Sequence, residues 1–177
     1  MSDRIVVVDY DPGWPEAFER ERDRIAAALG ADALAIEHYG STAVEGIPAK
    51  PIIDVMVVVR DLDSAEDEIA RLEQAGYERR PAGDLEQPRR LFLVRYDGEL
   101  RAAHLALIAG GGDYWDEHVT FRDALRADPA LARRYAQLKR DLARRYRDDR
   151  IAYTEAKTEF VEEALRKWRG EGLEGGR

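Results

Sequence analysis

The chain has 177 residues, 45% of them hydrophobic, and carries 36 acidic against 28 basic side chains for a formal charge of -8. That is enough chain for one well-packed domain, and no Ser/Gly/Pro-rich linker divides it. The acidic balance disfavours nonspecific binding to nucleic acid or anionic membrane, and the absence of cysteine excludes disulfides and thiolate metal sites.

The N-terminal stretch has one short apolar run, Ile5 to Val8, and then turns charged. It fits neither a signal peptide nor a membrane span, so the expectation is a soluble cytoplasmic protein. Ile5 to Val8 itself reads as a short strand. Asp11-Pro12 and Trp14-Pro15 then open a helix to about Leu29, which Gly30 ends. Leu34 to Tyr39 is the next strand. Ile52 to Val59 is so continuously apolar that it reads as a central strand buried on both faces. Asp63 or Ser64 is placed to cap a helix that buries Ile69 and Leu72 and stops at Gly76. Leu91 to Tyr96 and Leu100 to Ile108 flank Asp97-Gly98, a strong hairpin signal.

From Asp113 onward the apolar period changes from two to about 3.6, and the remainder reads as helical. Asp128-Pro129 caps one helix, with Leu131, Tyr135, Leu138, Leu142 and Tyr146 on one face, and a last helix places Tyr153, Ala156, Phe160, Ala164, Leu165 and Trp168. The expectation is a single α+β domain over residues 1 to 169, a mixed sheet with a helical C-terminal layer. Residues 170 to 177 read as a flexible tail.

The chemistry concentrates between Ile36 and Val59. On the strand Ile52 to Val59, Asp54 shares a face with Ile52, Met56 and Val58. A carboxylate with apolar neighbours needs a cation or hydrogen-bond donors to meet it. That partner is either a metal or, more plainly, backbone N–H groups or a Lys or Arg. Gly40, Ser41 and Thr42 follow the preceding strand, where a turn can aim N–H groups and a hydroxyl at an anion. Lys50 is close enough in sequence to be a phosphate ligand or a counter-ion of Asp54. His104 stands between small residues on its strand, as a ligand-facing imidazole or an interior one.

HYGSTAVEGIPAKPIIDVMV is similar to the signature of the GrpB family, a branch of the nucleotidyltransferase superfamily fold. The likeness continues through WDEHVTFRDALRADP, RRYAQLKRDLARRY and AYTEAKTEFVEEALR and so covers nearly the whole chain. In that superfamily the Gly-Ser turn binds a nucleotide's terminal phosphates. Two carboxylates separated by one residue on the next strand hold Mg²⁺, and a third acid lies on a later strand. Gly40, Ser41 and Asp54 match, whereas Met56 occupies the second carboxylate position and the chain reads His104-Leu105-Ala106 where the family often carries His-Leu-His.

The resemblance implies a Mg²⁺-dependent nucleotidyl- or phosphoryl-transferase with a small acceptor. Asp54 would hold the metal, Lys50 and His104 would join it in catalysis, and Gly40, Ser41, Thr42, Arg122, Lys139 and Lys157 would hold phosphate. Two other readings stay open. One is a noncatalytic module that binds a nucleotide or phosphorylated metabolite, a CoA-pathway ligand among them, and the other is a scaffold with an empty pocket. For the basic residues, snorkelling over Tyr135 and Tyr153 is the plain alternative.

Overall fold

The computed structural model describes residues 5–86, 90–110 and 112–174, with the side chains of 84–86, 150 and 171–174 left aside. Its elements run α1 (Trp14–Leu29), β1 (Ala35–Tyr39), β2 (Ile53–Val59), α2 (Glu66–Gln74), β3 (Tyr77–Arg79), α3 (Pro81–Glu86), β4 (Leu91–Asp97), β5 (Leu100–Ala109), α4 (Asp113–Ala127), α5 (Pro129–Arg145) and α6 (Arg150–Glu174). The five strands form one mixed sheet in the order β1-β2-β5-β4-β3. Only β2 and β5 run parallel; the other neighbours are antiparallel. The α+β architecture read from the sequence is therefore what the chain adopts, with β2 inside the sheet.

Alternation along β2 splits the core in two. Ile53, Val55, Val57 and Val59 pack with Leu93, Leu105 and Leu107 beneath α1 and α2, through Ile25, Leu29, Ile69 and Leu72. Met56 and Val58 share the opposite face with Tyr39, Ala106, Ile108 and Tyr114 of α4. The helical layer of α4, α5 and α6 thus stands on the face that carries Asp54. Its own apolar seam joins Leu125, Tyr135, Phe121 and Phe160.

Several local expectations are corrected. Ile5 to Val8 makes no strand; it contributes a single antiparallel bridge between Val8 and Ala49. Neither Asp63 nor Ser64 caps α2, whose N-terminus has no side-chain cap; both instead bond to Asp61, through the Asp63 N–H and the Ser64 hydroxyl. The hairpin turns one residue late, at Gly98 and Glu99, because Asp97 still pairs with Leu100. Asp128 does cap α5, accepting from the N–H groups of Ala130 and Leu131 at 2.8 and 3.1 Å. The final helix continues through Gly170 to Glu174.

One buried ion pair ties α1 to the sheet. Arg95 grips Glu21 with Nη2 at 2.6 Å and Nε at 2.9 Å, and the Tyr77 hydroxyl donates to the same carboxylate at 2.5 Å. Glu21 is 3% exposed, so all three groups depend on one another.

Candidate functional site

β1 and β2 are antiparallel, so the end of β1 and the start of β2 meet at one edge of the sheet. Tyr39 pairs with Asp54 there, and the chain then turns at Gly40 into a short 3-10 turn, Ser41–Ala43. Gly40 has φ 72°, and a Cβ built on it would lie 2.4 Å from Oδ2 of Asp54. Two separate constraints thus require glycine: a left-handed backbone and the close approach of the carboxylate. Neither Ser41 nor Thr42 caps this turn with its side chain. On the other side of β2, Asp54 faces His104 of β5, and Nδ1 of His104 meets Oδ1 of Asp54 at 3.2 Å.

Above this edge lies a cleft of about 420 Å³ between the turn and the helices α4, α5 and α6. Gly40, Ser41, Asp54, Arg122 and Lys157 line it, so the fold brings most of the residues singled out in the sequence to one place. Phe121, Leu125, Val161 and Leu165 give it an apolar wall. Ser41 hydrogen-bonds to the hydroxyl of Tyr135, whose phenol burial pushes up to about 12.

Three ammonium groups gather around two tyrosines beside the cleft. Lys139 lies 5.5 Å from the ring centre of Tyr135, while Lys50 and Lys157 lie 5.1 and 4.5 Å from that of Tyr153. Lys139 is 4% exposed. Burial lowers its pKa to about 7; the charges of Lys157 and Lys50 add to the fall and Asp54 opposes it. Among the described residues its ammonium has no ion pair and no hydrogen bond, only the ring.

Two expected phosphate ligands are engaged elsewhere. Thr42 is buried and its hydroxyl meets Nε2 of His38 at 2.9 Å, which keeps it beneath the turn. Arg122 donates from Nη1 to Glu37 at 2.7 Å and to the carbonyl of His38 at 2.9 Å, and from Nε to Asp123. It braces α4 against β1. His38 stacks on Phe18, 4.7 Å between ring centres, on the α1 side of the sheet. Burial drives its pKa down to about 4.

His118 is the cleft residue that the sequence reading passed over. Its Nδ1–H donates to the carbonyl of Tyr114 at 2.7 Å, and burial lowers its pKa, so a neutral ring keeps Nε2 as an acceptor. The spacing Tyr114 to His118, one helical turn, was the available signal.

The donor set sets limits on a metal. Met56 and its partner Ala106 are fully buried, so no oxygen ligand stands two residues beyond Asp54. Glu37 faces Met56 in register, but Arg122 holds its carboxylate. Asp97 pairs with Leu100, four residues along β5 from His104, roughly 13 Å at the usual strand rise. Among the described residues no three His, Cys, Asp or Glu side chains are grouped to hold a metal ion. These residues do not fit a two-metal clamp. One hydrated Mg²⁺ held by Asp54 and a ligand's phosphate oxygens fits the general habit of that ion.

Residues 4–167 match the family described as GrpB protein, and the chain belongs to that family. It is 35% identical to the glutamate-rich protein GrpB of Alkalihalophilus pseudofirmus, over 91% of this chain and 94% of that one. A UPF0157 protein of Pseudomonas aeruginosa is 40% identical over 93% of this chain and 67% of its own. A dephospho-CoA kinase of Mycolicibacterium paratuberculosis is 31% identical over 92% of this chain, which spans only 45% of that longer protein. The crystal structure of GrpB from Enterococcus faecalis superposes with a TM-score of 0.80 at 32% identity, covering 92% of this chain and 99% of that one. Among the described residues no helix is long and apolar enough to cross a membrane.

Proposed function

We propose that the cleft binds the phosphate end of a nucleotide or another phosphorylated small molecule. The observation that carries this reading is Lys139: the ammonium of a buried side chain, beside two others and lowered in pKa, that no described residue meets with a hydrogen bond or an ion pair. A phosphate entering beside Ser41 would bring that ammonium a counter-charge and favour its protonated form. The apolar wall of Phe121, Leu125, Val161 and Leu165 would take the rest of the ligand. A Mg²⁺ ion arriving with the ligand would sit on Asp54 and neutralise phosphate charge. The match to a dephospho-CoA kinase makes phosphorylated CoA precursors part of the ligand class to be tried.

Transfer chemistry is the second reading, favoured by the Asp54–His104 pair. A carboxylate that receives Nδ1–H leaves Nε2 as a base, the arrangement that accepts a proton from an attacking hydroxyl. Buried Met56 weighs against the two-metal form of that chemistry. A thermal-shift screen of nucleotides, sugar phosphates and CoA precursors, with Mg²⁺ and with chelator, separates the readings. A ligand that raises the melting temperature supports binding, and loss of the Mg²⁺-dependent part in D54N assigns the metal to Asp54. No shift from any phosphorylated compound sinks the proposal.

A further inference from the structure

An anion beside Ser41 and the lysines leaves one group of the cleft unused. His118 of α4 lines the same cleft as Ser41, Asp54 and Lys157. Its ring is held from several directions. It stacks on Tyr114 with ring centres 4.1 Å apart, meets Tyr39 edge-on at 5.2 Å, and sets Nδ1 2.7 Å from the Tyr114 carbonyl. Tyr39 pairs in register with Asp54, so these contacts fix the imidazole over the sheet edge where Asp54 and the Gly40 turn meet.

A carbonyl oxygen can only accept, so a neutral His118 ring carries its proton on Nδ1 and its lone pair on Nε2. Burial lowers the pKa and favours that neutral ring; the Tyr114 carbonyl, Glu117 and Asp54 oppose the fall, and Arg90 adds to it. Among the described residues Nε2 has no hydrogen-bond partner. Glu117, beside it on α4, and Glu162 of α6 line the cleft too, and ionised carboxylates likewise only accept. Phosphate does not answer these groups, because its ionised oxygens are acceptors, and the apolar wall of Phe121, Leu125, Val161 and Leu165 has nothing to donate. A site that holds out an acceptor rejects a ligand without a donor, since binding strips water from the acceptor and leaves it unpaired.

We propose that His118 determines the ligand class of the cleft: a phosphate monoester whose other end carries a hydrogen-bond donor, a hydroxyl or an ammonium group, received by Nε2 of His118. The proposal rests on the phosphate reading of the cleft and narrows it. A hydroxyl uses Nε2 as its acceptor. An ammonium group also draws on the charges of Glu117 and Glu162. A ligand with an apolar tail and no donor fits the wall and is still disfavoured.

NMR titration of the wild type and H118F at neutral pH with propyl phosphate, glycerol 3-phosphate and 3-aminopropyl phosphate tests this, since the esters share a three-carbon chain and differ in their donors. Phenylalanine keeps the stack on Tyr114, and the Tyr114 carbonyl keeps the helical N–H of residue 118. The expected result is that a donor-bearing ester binds the wild type about tenfold more tightly than propyl phosphate. H118F loses that margin and binds propyl phosphate as the wild type does. A lead for the glycerol ester assigns a hydroxyl, and a lead for the amino ester assigns an ammonium group. A margin absent from the wild type, or one that survives in H118F, overturns the proposal and leaves the phosphate reading standing. Binding of none of the three esters overturns the phosphate reading and this proposal with it. If H118F does not fold, the ¹⁵N resonance of His118 Nε2 in the wild type decides: it moves with a donor-bearing ester and not with propyl phosphate, and a resonance unmoved by all three overturns the assignment.

Discussion

Met56 of β2 and Ala106 of β5 stand directly opposite each other in the parallel pair, and neither exposes any surface. They fill the two positions next to Asp54 and His104 on the same face, where the resemblance read from the sequence would lead one to expect a second carboxylate and a second imidazole. A long thioether opposite a methyl group packs that row dry beneath Tyr39 and Tyr114, whose hydroxyls meet at 3.2 Å. The two departures form one packing unit, with Asp54–His104 as the polar row at its border.

Restoring the carboxylate is therefore expected to harm the fold without restoring a metal centre. M56D places an ionisable group among the buried side chains of Ala106, Tyr39 and Val58. Urea unfolding is predicted to show a loss of about 3 kcal/mol or more. A variant as stable as the wild type would mean the row is not dry.

Gly40 carries two constraints, and a comparison separates them. Gly46 has φ 80° with nothing near a built Cβ, whereas Gly40 adds the 2.4 Å clash with Asp54. G46A is predicted to cost about 1 kcal/mol from backbone strain alone and G40A about 2–3 kcal/mol. Equal losses would show that Asp54 does not press on the turn.

His38 gives the fold an acid-sensitive element. Its pKa falls from 6.5 unfolded to about 4 folded, chiefly through burial, so the unfolded chain binds more protons between those values. Stability from this residue is complete above pH 6.5 and is lost as pH falls through 4, by about 3 kcal/mol at most. Urea midpoints measured from pH 7 to 4 are expected to fall less steeply in H38F, which keeps the stack on Phe18. An unchanged slope would place the titration elsewhere.

Lys139 titrates in the opposite region. Its ammonium faces Tyr135 on its own helix and feels the charges of Lys157 of α6, Asp54, and Lys50 from the loop before β2. Its folded pKa of about 7 lies below the unfolded 10.5, so stability from this group rises as pH climbs from 7 to 10.5. Anion binding draws a proton back onto it. Affinity for pyrophosphate is predicted to weaken from pH 7 to 9, with proton uptake visible as a buffer-dependent heat of binding. A pH-independent affinity would remove Lys139 from the site.

How much of this was legible beforehand follows from which forces act locally. The run Ile52 to Val59 announced a buried strand, and Asp128-Pro129 announced a capped helix, because both rest on neighbours in sequence. β3 has only the three residues Tyr77–Arg79 and α3 only six, too short for a period to show. Asp54 and Ser41 stood out from strand alternation and the Gly-Ser turn, Lys139 and Lys157 through the resemblance, and the fold brings them near one another. Thr42 and Arg122 were not separable from them, since their partners His38 and Glu37 depend on which face of β1 each residue takes.

Calorimetry with a nucleoside triphosphate and Mg²⁺, run on the wild type and K139M, tests the central claim most directly. The account predicts saturable binding in the wild type and roughly tenfold or greater weakening in K139M, about 1.4 kcal/mol or more, with no fall in the thermal midpoint of the variant. Equal affinity in the two proteins, or no binding of any triphosphate by the wild type, would contradict it.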